Sequence, residues 1–304
     1  MAIKIEDFLI KAVHTFQIRS LQSLNFLTRV SLINKSDEAG YATNYRVDLT
    51  VYGPDRQIEK TVEGIGTIRA GERLSLDCQQ WDEKDGKDRI MIFHLIPEKM
   101  IAELATSKTT TVDKDEQRAL MVAQDHHVEY YREDGYSSGV LYTSGSFNYD
   151  KFSKESSAIV QAPKIYISNS ITTYFSLMHT AMTSDYNVTA SIKCALVGSS
   201  GRCVAKWVTK LKPFETVLLD LKEIVKALDP ECNTTLGPDL RFYTLYAVCN
   251  NATLLPLIIN YNELKHTLAV EHSLPPIYYG AKMFGPSRSD TLKELANIPM
   301  FSEN

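Results

Sequence analysis

The chain has 304 residues, long enough for two domains. Its 44 % apolar and 23 % charged residues are those of a folded globular protein and exclude long disorder. A net charge of −4 with no visible basic cluster gives no reason to expect a nucleic-acid partner, and no run reaches the roughly 18–20 apolar residues of a membrane-spanning helix.

The first residues, Met1-Ala2-Ile3-Lys4-Ile5-Glu6-Asp7, are acidic where a secretory signal would be basic, and Ile5 to Phe16 fits either a helix or a strand. From Tyr45 the period is two: Tyr45, Val47, Leu49 and Val51 point inward, and Arg46, Asp48 and Thr50 point away. Gly53-Pro54-Asp55 then supplies a turn, with Ile58 to Val62 as the return strand of a hairpin. Ile90-Met91-Ile92-Phe93 is apolar on both faces and fits an interior strand, Met100 to Leu104 a helical turn, and Thr106 to Gln117 a loop.

The second half repeats this plan. Val188, Ala190, Ile192, Cys194 and Leu196 alternate with Thr189, Ser191 and Lys193, the turn is Gly198-Ser199-Ser200-Gly201, and Cys203 to Val208 returns. Ser31-Leu32-Ile33 matches Ser176-Leu177-Met178, and Val51-Tyr52-Gly53 matches Leu196-Val197-Gly198 at the same offset. Arg69 to Asp77 lines up with Lys212 to Asp220 after a two-residue deletion. Such self-similarity indicates a duplicated β unit.

Asp220 caps a helix whose stripe is Leu221, Ile224, Val225 and Leu228, with Glu223 reaching back and Pro230 ending it. Phe242 to Val248 is apolar throughout, and because Pro256 cannot donate to a ladder, the strand in Leu254 to Ile259 is either an edge or starts at the proline. The fold class is therefore all-β, two tandem antiparallel β-sandwich lobes with one or two short helices. Lobe boundaries fall at 1–155 and 156–274, and 275–304 is a Pro/Gly-containing tail.

Five cysteines, Cys78, Cys194, Cys203, Cys232 and Cys249, lack paired metal spacing and read as reduced thiols of a cytoplasmic protein. Cys194 and Cys203 lie across one hairpin, and reduction leaves them unbridged.

Three strings carry candidate chemistry. In Asp125-His126-His127-Val128-Glu129-Tyr130-Tyr131, His127 and Glu129 share one strand face, the first half of an HxE…H site for iron or zinc that His179, or else His266 or His272, would complete. We favour the plainer reading, a solvent-facing strand packed by two tyrosines. Tyr131, Tyr136 and Tyr142, interleaved with serine and glycine, suit recognition of sugars or a protein surface. Glu271, His272, Tyr278 and Tyr279 flank a stiff Pro275-Pro276 and form either a ligand groove or a clamped tail. Glu271-His272-Ser273 holds the residue types of a hydrolase triad, but neighbours on a strand face opposite ways. Phosphate-loop and nucleophile-elbow motifs do not occur.

Leu254-Leu255-Pro256-Leu257-Ile258-Ile259-Asn260-Tyr261, following Glu215 to Asp220, resembles the closing part of sensory-rhodopsin-transducer-type β-sandwich proteins. Those place an L-x-x-D segment before a V-P-I-V-V strand. The likeness covers about half of the second lobe and less of the first, and no site residue carries over from it. It implies a sandwich that binds a partner or ligand, oligomerises and has no catalytic role. Together these readings lead to a non-enzymatic binding or scaffold protein without a cofactor, the partner being a protein or a small sugar-like ligand. The alternative is an iron- or zinc-dependent oxygenase.

Overall fold

The computed structural model describes residues 2–4, 15–39, 42–104, 106, 109–111, 124–134, 136–144, 158–179, 187–228, 240–249, 252 and 254–271. The chain divides into two units, Met1–Asp150 with Ala181–Tyr186, and Lys151–Thr180 with Asn187–Asn304.

The first unit contains β1 (Ala2–Lys4), β2 (Thr15–Arg19), β3 (Leu27–Ile33), β4 (Tyr45–Tyr52), β5 (Ile58–Ile68), β6 (Arg73–Asp77), β7 (Ile90–Pro97), β8 (Thr109–Thr111), β9 (Gln124–Tyr131) and β10 (Ser137–Ser144). A short helix α1 (Ile101–Leu104) follows β7. Two four-stranded sheets form, β2-β7-β4-β5 and β10-β9-β3-β6, and β1 pairs with β8. Their inner faces meet: the Phe16 ring lies 4.3 Å from that of His126, and the Tyr130 hydroxyl donates to the Arg19 carbonyl at 3.2 Å.

The second unit contains β11 (Ala158–Ile167), β12 (Ile171–His179), β13 (Ala190–Gly198), β14 (Cys203–Leu211), β15 (Thr216–Asp220), α2 (Leu221–Leu228), β16 (Arg241–Cys249), β17 (Leu254–Asn262) and β18 (Thr267–Glu271). Its sheets are β11-β16-β13-β14 and β15-β12-β17-β18. One core joins both, with Ile165, Phe175, Leu177, Ile192, Leu196, Leu245 and Ile258 fully or almost fully buried. Every strand pairing described is antiparallel, so the protein is all-β, built from sandwich-like sheet pairs.

The eight strands of the second unit fall in the same sheet order as β2 to β7, β9 and β10 of the first. The turns agree bond for bond. Gly53 N–H donates to the Gln57 carbonyl and Arg56 N–H to that of Gly53, as Gly198 does to Arg202 and Gly201 to Gly198. Ahead of β6, Asn34 N–H donates to the Glu72 carbonyl and Gly71 N–H to that of Asn34. Ahead of β15, His179 and Glu215, and then Phe214 and His179, repeat this. Each turn needs one residue with positive φ, and the glycine alternates: Arg56 (69°) faces Gly201 (79°), and Gly71 (76°) faces Phe214 (60°).

Several expectations change. The return strands run on to Ile68 and Leu211, and Val188 lies outside β13. β16 is buried on one face only, with Phe242 half exposed. β17 is interior, between β12 and β18. Pro256 is tolerated because it pairs only with Leu177 of β12, two residues before the β18 ladder begins at Ile258. Asp220 Oδ1 accepts from the Lys222 and Glu223 amides as a cap should, but the Glu223 carboxylate is held by Lys226 at 2.6 Å. Cys194 and Cys203 are free thiols, as are Cys78 and Cys249. Among the described residues no helix is long and apolar enough to cross a membrane.

Candidate ligand face of the first unit

Strand β9 alternates strictly. Gln124, His126, Val128 and Tyr130 are buried, and Asp125, His127, Glu129 and Tyr131 occupy the outer face. Cross-strand register sets their neighbours. Glu129 stands between Gly139 of β10 and Arg29 of β3, and Arg29 is opposite Asp77 of β6. His127 stands opposite Leu141 on one side and Ser31 on the other, with Ser75 beyond Ser31.

Arg29 is the hub. Its Nε donates to Asp77 Oδ1 at 2.8 Å and its Nη1 to Glu129 Oε2 at 3.3 Å. Its guanidinium lies 4.7 Å from the centre of the Tyr131 ring, within cation–π range. The Tyr131 hydroxyl donates to Asp77 Oδ1 at 3.1 Å, closing the circuit. The bond to Asp77 pushes the Arg29 guanidinium further up. Partial desolvation, then the hydrogen bond to Asp77, raises the Tyr131 phenol. Beside this, Arg73 Nη2 donates to Ser31 Oγ at 2.7 Å, and Ser31 and Ser75 hydroxyls lie 2.8 Å apart.

Gly139 makes room for His127: a Cβ there would run into the imidazole and stand 2.8 Å from the Val128 carbonyl. The result is a flat, polar, partly exposed surface with a fixed tyrosine, two carboxylates and oriented guanidinium donors. Such a surface can hydrogen-bond a polyhydroxylated or charged ligand without covalent chemistry.

Of the residues singled out in the sequence, Tyr131 and Glu129 enter this cluster and His127 lies alongside. His179 does not join them. It ends β12 in the second unit, fully buried, its ring pushed down to about 4 by desolvation. The proposed His127–Glu129–His179 metal set is therefore corrected: among the described residues no three His, Cys, Asp or Glu side chains form a group that could hold an ion, and Glu129 is engaged by Arg29. His266 pairs with Tyr261 at 3.0 Å. Tyr136 is exposed at the β9–β10 turn, and Tyr142 lies opposite His126. Glu271 ends β18, exposed and opposite Ile258, while His272, Tyr278 and Tyr279 lie outside the described residues. Arg29 and Asp77 were missed. Their convergence depends on which residues of β3, β6 and β9 stand opposite one another, a register that no local string encodes.

No family model and no curated protein matches the chain. Among solved structures, a glycosyl hydrolase family 2 member from Bacteroides cellulosilyticus aligns over 88 % of this chain at 9 % identity and a TM-score of 0.17. A Bacteroides uniformis beta-glucuronidase aligns over 88 % at 11 % identity and 0.16, and one from Ruminococcus gnavus over 85 % at 9 % identity and 0.15. The chain spans 29 %, 27 % and 34 % of their respective lengths. Scores this low carry neither fold nor activity over to this protein.

Proposed function

We propose that this is a non-enzymatic binding or scaffold protein that takes a small sugar-like ligand, or a polar loop of a protein partner, on the outer face of β10-β9-β3-β6. The observation that carries the reading is the Arg29–Asp77–Glu129–Tyr131 circuit, in which polar groups of three strands are held at an exposed surface. The paired turns and strand orders support descent of the two units from one duplicated ancestor. In this reading the protein works in the reducing cytoplasm and, as the transducer-like resemblance implies, oligomerises.

Saturation-transfer NMR on the whole protein with a panel of neutral and uronic mono- and disaccharides tests it. Transfer to at least one sugar is expected, with at least a tenfold loss of affinity in Tyr131→Ala and in Arg29→Ala, since each removes a charge-assisted or stacking contact. Transfer to no sugar, or transfer unchanged in both variants, overturns the sugar reading.

A further inference from the structure

We propose that the sugar-like ligand read onto the β10-β9-β3-β6 face is a hexuronate, its carboxylate held by Arg73; the assignment rests on that reading and adds the ligand's charge. Among the described outward side chains of β3, β6 and β9, every carboxylate has a cation. Arg29 holds Asp77 and Glu129, and Lys35, just past β3, holds Asp125 at 3.5 Å. Arg73, exposed on the edge strand β6, has no carboxylate within ion-pair distance among the described residues. Its polar contact there is the Ser31 hydroxyl, to which Nη2 donates at 2.7 Å.

That contact aims the group. Arg73 stands opposite Ile33, yet its guanidinium reaches the neighbouring row, where Ser31 lies between Ser75 and His127. Ser31 is buried and its hydroxyl lies 2.8 Å from that of Ser75, so one nitrogen of the fork is fixed on a held partner. A planar guanidinium anchored in this way keeps further N–H groups for a carboxylate, which it can meet with two parallel bonds. Ser31 and Arg29 are two residues apart on β3, roughly 7 Å. A carboxylate on Arg73 therefore leaves its ring over the Arg29 row, where Glu129 and Asp77 accept from sugar hydroxyls. A phosphate ester carries up to about two charges, and with three carboxylates on the face one free cation suits a monoanion better. An acidic peptide would bring further acceptors to those carboxylates, whereas a sugar ring brings donors.

The second unit shows that the frame does not need these groups. By register, Arg29, Arg73, His127 and Glu129 are matched there by Tyr174, Thr216, Leu257 and Ile259. Leu257 and Ile259 are buried, and of the three carboxylates only Asp77 keeps a counterpart, Asp220. Strand order is the same in both units, so the sheet alone does not call for a polar grid at this place.

The test is NMR titration of the full chain with the methyl glycosides of glucuronic, galacturonic and mannuronic acid. Each is run beside its methyl ester, which keeps the ring and removes the charge. At least one acid should bind about tenfold more tightly than its ester, the size of one charge-assisted pair. Arg73→Gln should bring acid and ester together and leave the ester's affinity unchanged. Arg73→Lys should restore part of the preference, because it keeps the charge and loses the fork. The exposed Arg69→Gln in the turn before β6 controls for net charge, and circular dichroism melts of all variants control for folding. An ester bound as tightly as its acid, a preference that survives Arg73→Gln, or an equal loss in Arg69→Gln overturns the assignment. So does polyglutamate competing as well as the acids, which would make Arg73 a contact for an acidic protein loop. If acid and ester bind alike and Arg29→Ala weakens both, the hexuronate falls and the sugar reading stands. If neither binds, the sugar reading falls and the hexuronate with it.

Discussion

Asp77 and Asp220 end matching strands, β6 and β15, and then part company. Asp220 caps α2, whose Leu221 and Val225 enter the core. Asp77 caps nothing; it binds Arg29 and Tyr131 at the surface. The segment after β6 forms an ionic strap instead of a long helix. Arg89, 3 % exposed, is held by Asp85 at 2.7 Å, Glu59 at 2.6 Å and Asp82 at 3.5 Å, while Arg19 binds Asp88 at 2.8 Å. Among the described residues of the second unit, buried Lys222 makes a comparable contact to Glu263 at 2.8 Å. Strand order is thus preserved by core periodicity and ladder bonds, and the crossover can be closed by charge or by apolar packing.

Removing the centre of the strap should have the largest effect. Arg89→Met leaves nearly buried Asp82 without its cation, while Glu59 and Asp85, about a third exposed, regain water, and it should cost about 2–4 kcal/mol. Denaturant unfolding measures the loss, and hydrogen exchange should place it in peptides of β5 and β7. A loss below about 1 kcal/mol would mean that the strap rides on the sheets without closing them.

Acid should divide the units in a second way. His94 in the first unit and His179 in the second are both desolvated on folding, which takes each down to about 4. The unfolded imidazole titrates near 6.5, so between pH 6.5 and 4 the unfolded state binds more protons. Stability should fall over that window by about 1.4 kcal/mol per pH unit per histidine, and level off below it. The matching residue for His179 is Asn34, whose backbone makes the same two turn bonds. His179→Asn should therefore keep the turn and remove up to about 3 kcal/mol of acid sensitivity. Melting temperatures of both proteins across that range decide it; parallel curves would overturn it.

Much of the frame was legible because it follows local rules. Period-two alternation gave β4 and β13, and glycine and proline gave the hairpins. Asp220 with its apolar stripe gave α2. The turn matches survive because backbone geometry at Gly53 and Gly198 depends on neighbours only. Pro256 misled, since whether a proline breaks a ladder depends on which side a neighbour pairs. The candidate ligand face was half visible: period two placed Glu129 and Tyr131 together, but only sheet register brings in Arg29 and Asp77.

The two cap positions give a smaller contrast. Asp220→Ala strands the Lys222 and Glu223 amides and should cost about 1 kcal/mol. Asp77→Ala removes only an exposed ion pair and a tyrosine contact, for a few tenths of a kcal/mol. Comparable losses in both, measured by denaturant unfolding, would argue that the Asp77 circuit is structural and not a surface for ligands.

The smallest expected effect concerns the alternating glycines. Arg56 holds a φ of 69° where the second unit has Gly201 at 79°, in hairpins with the same two backbone bonds. An L-residue there crowds its Cβ against the following carbonyl, a strain that glycine lacks. Glycine in turn loses more backbone freedom on folding, which offsets part of the relief. Arg56→Gly should therefore stabilise the protein by at most about 1 kcal/mol, and Gly201→Ala should destabilise it by a similar amount. Space does not enter the second case, because nothing lies within 4 Å of a Cβ added at Gly201. The double variant should come back close to the parent in denaturant midpoint. If Arg56→Gly instead destabilises, the arginine side chain contributes more than its backbone costs, and the turns match in geometry without matching in energy.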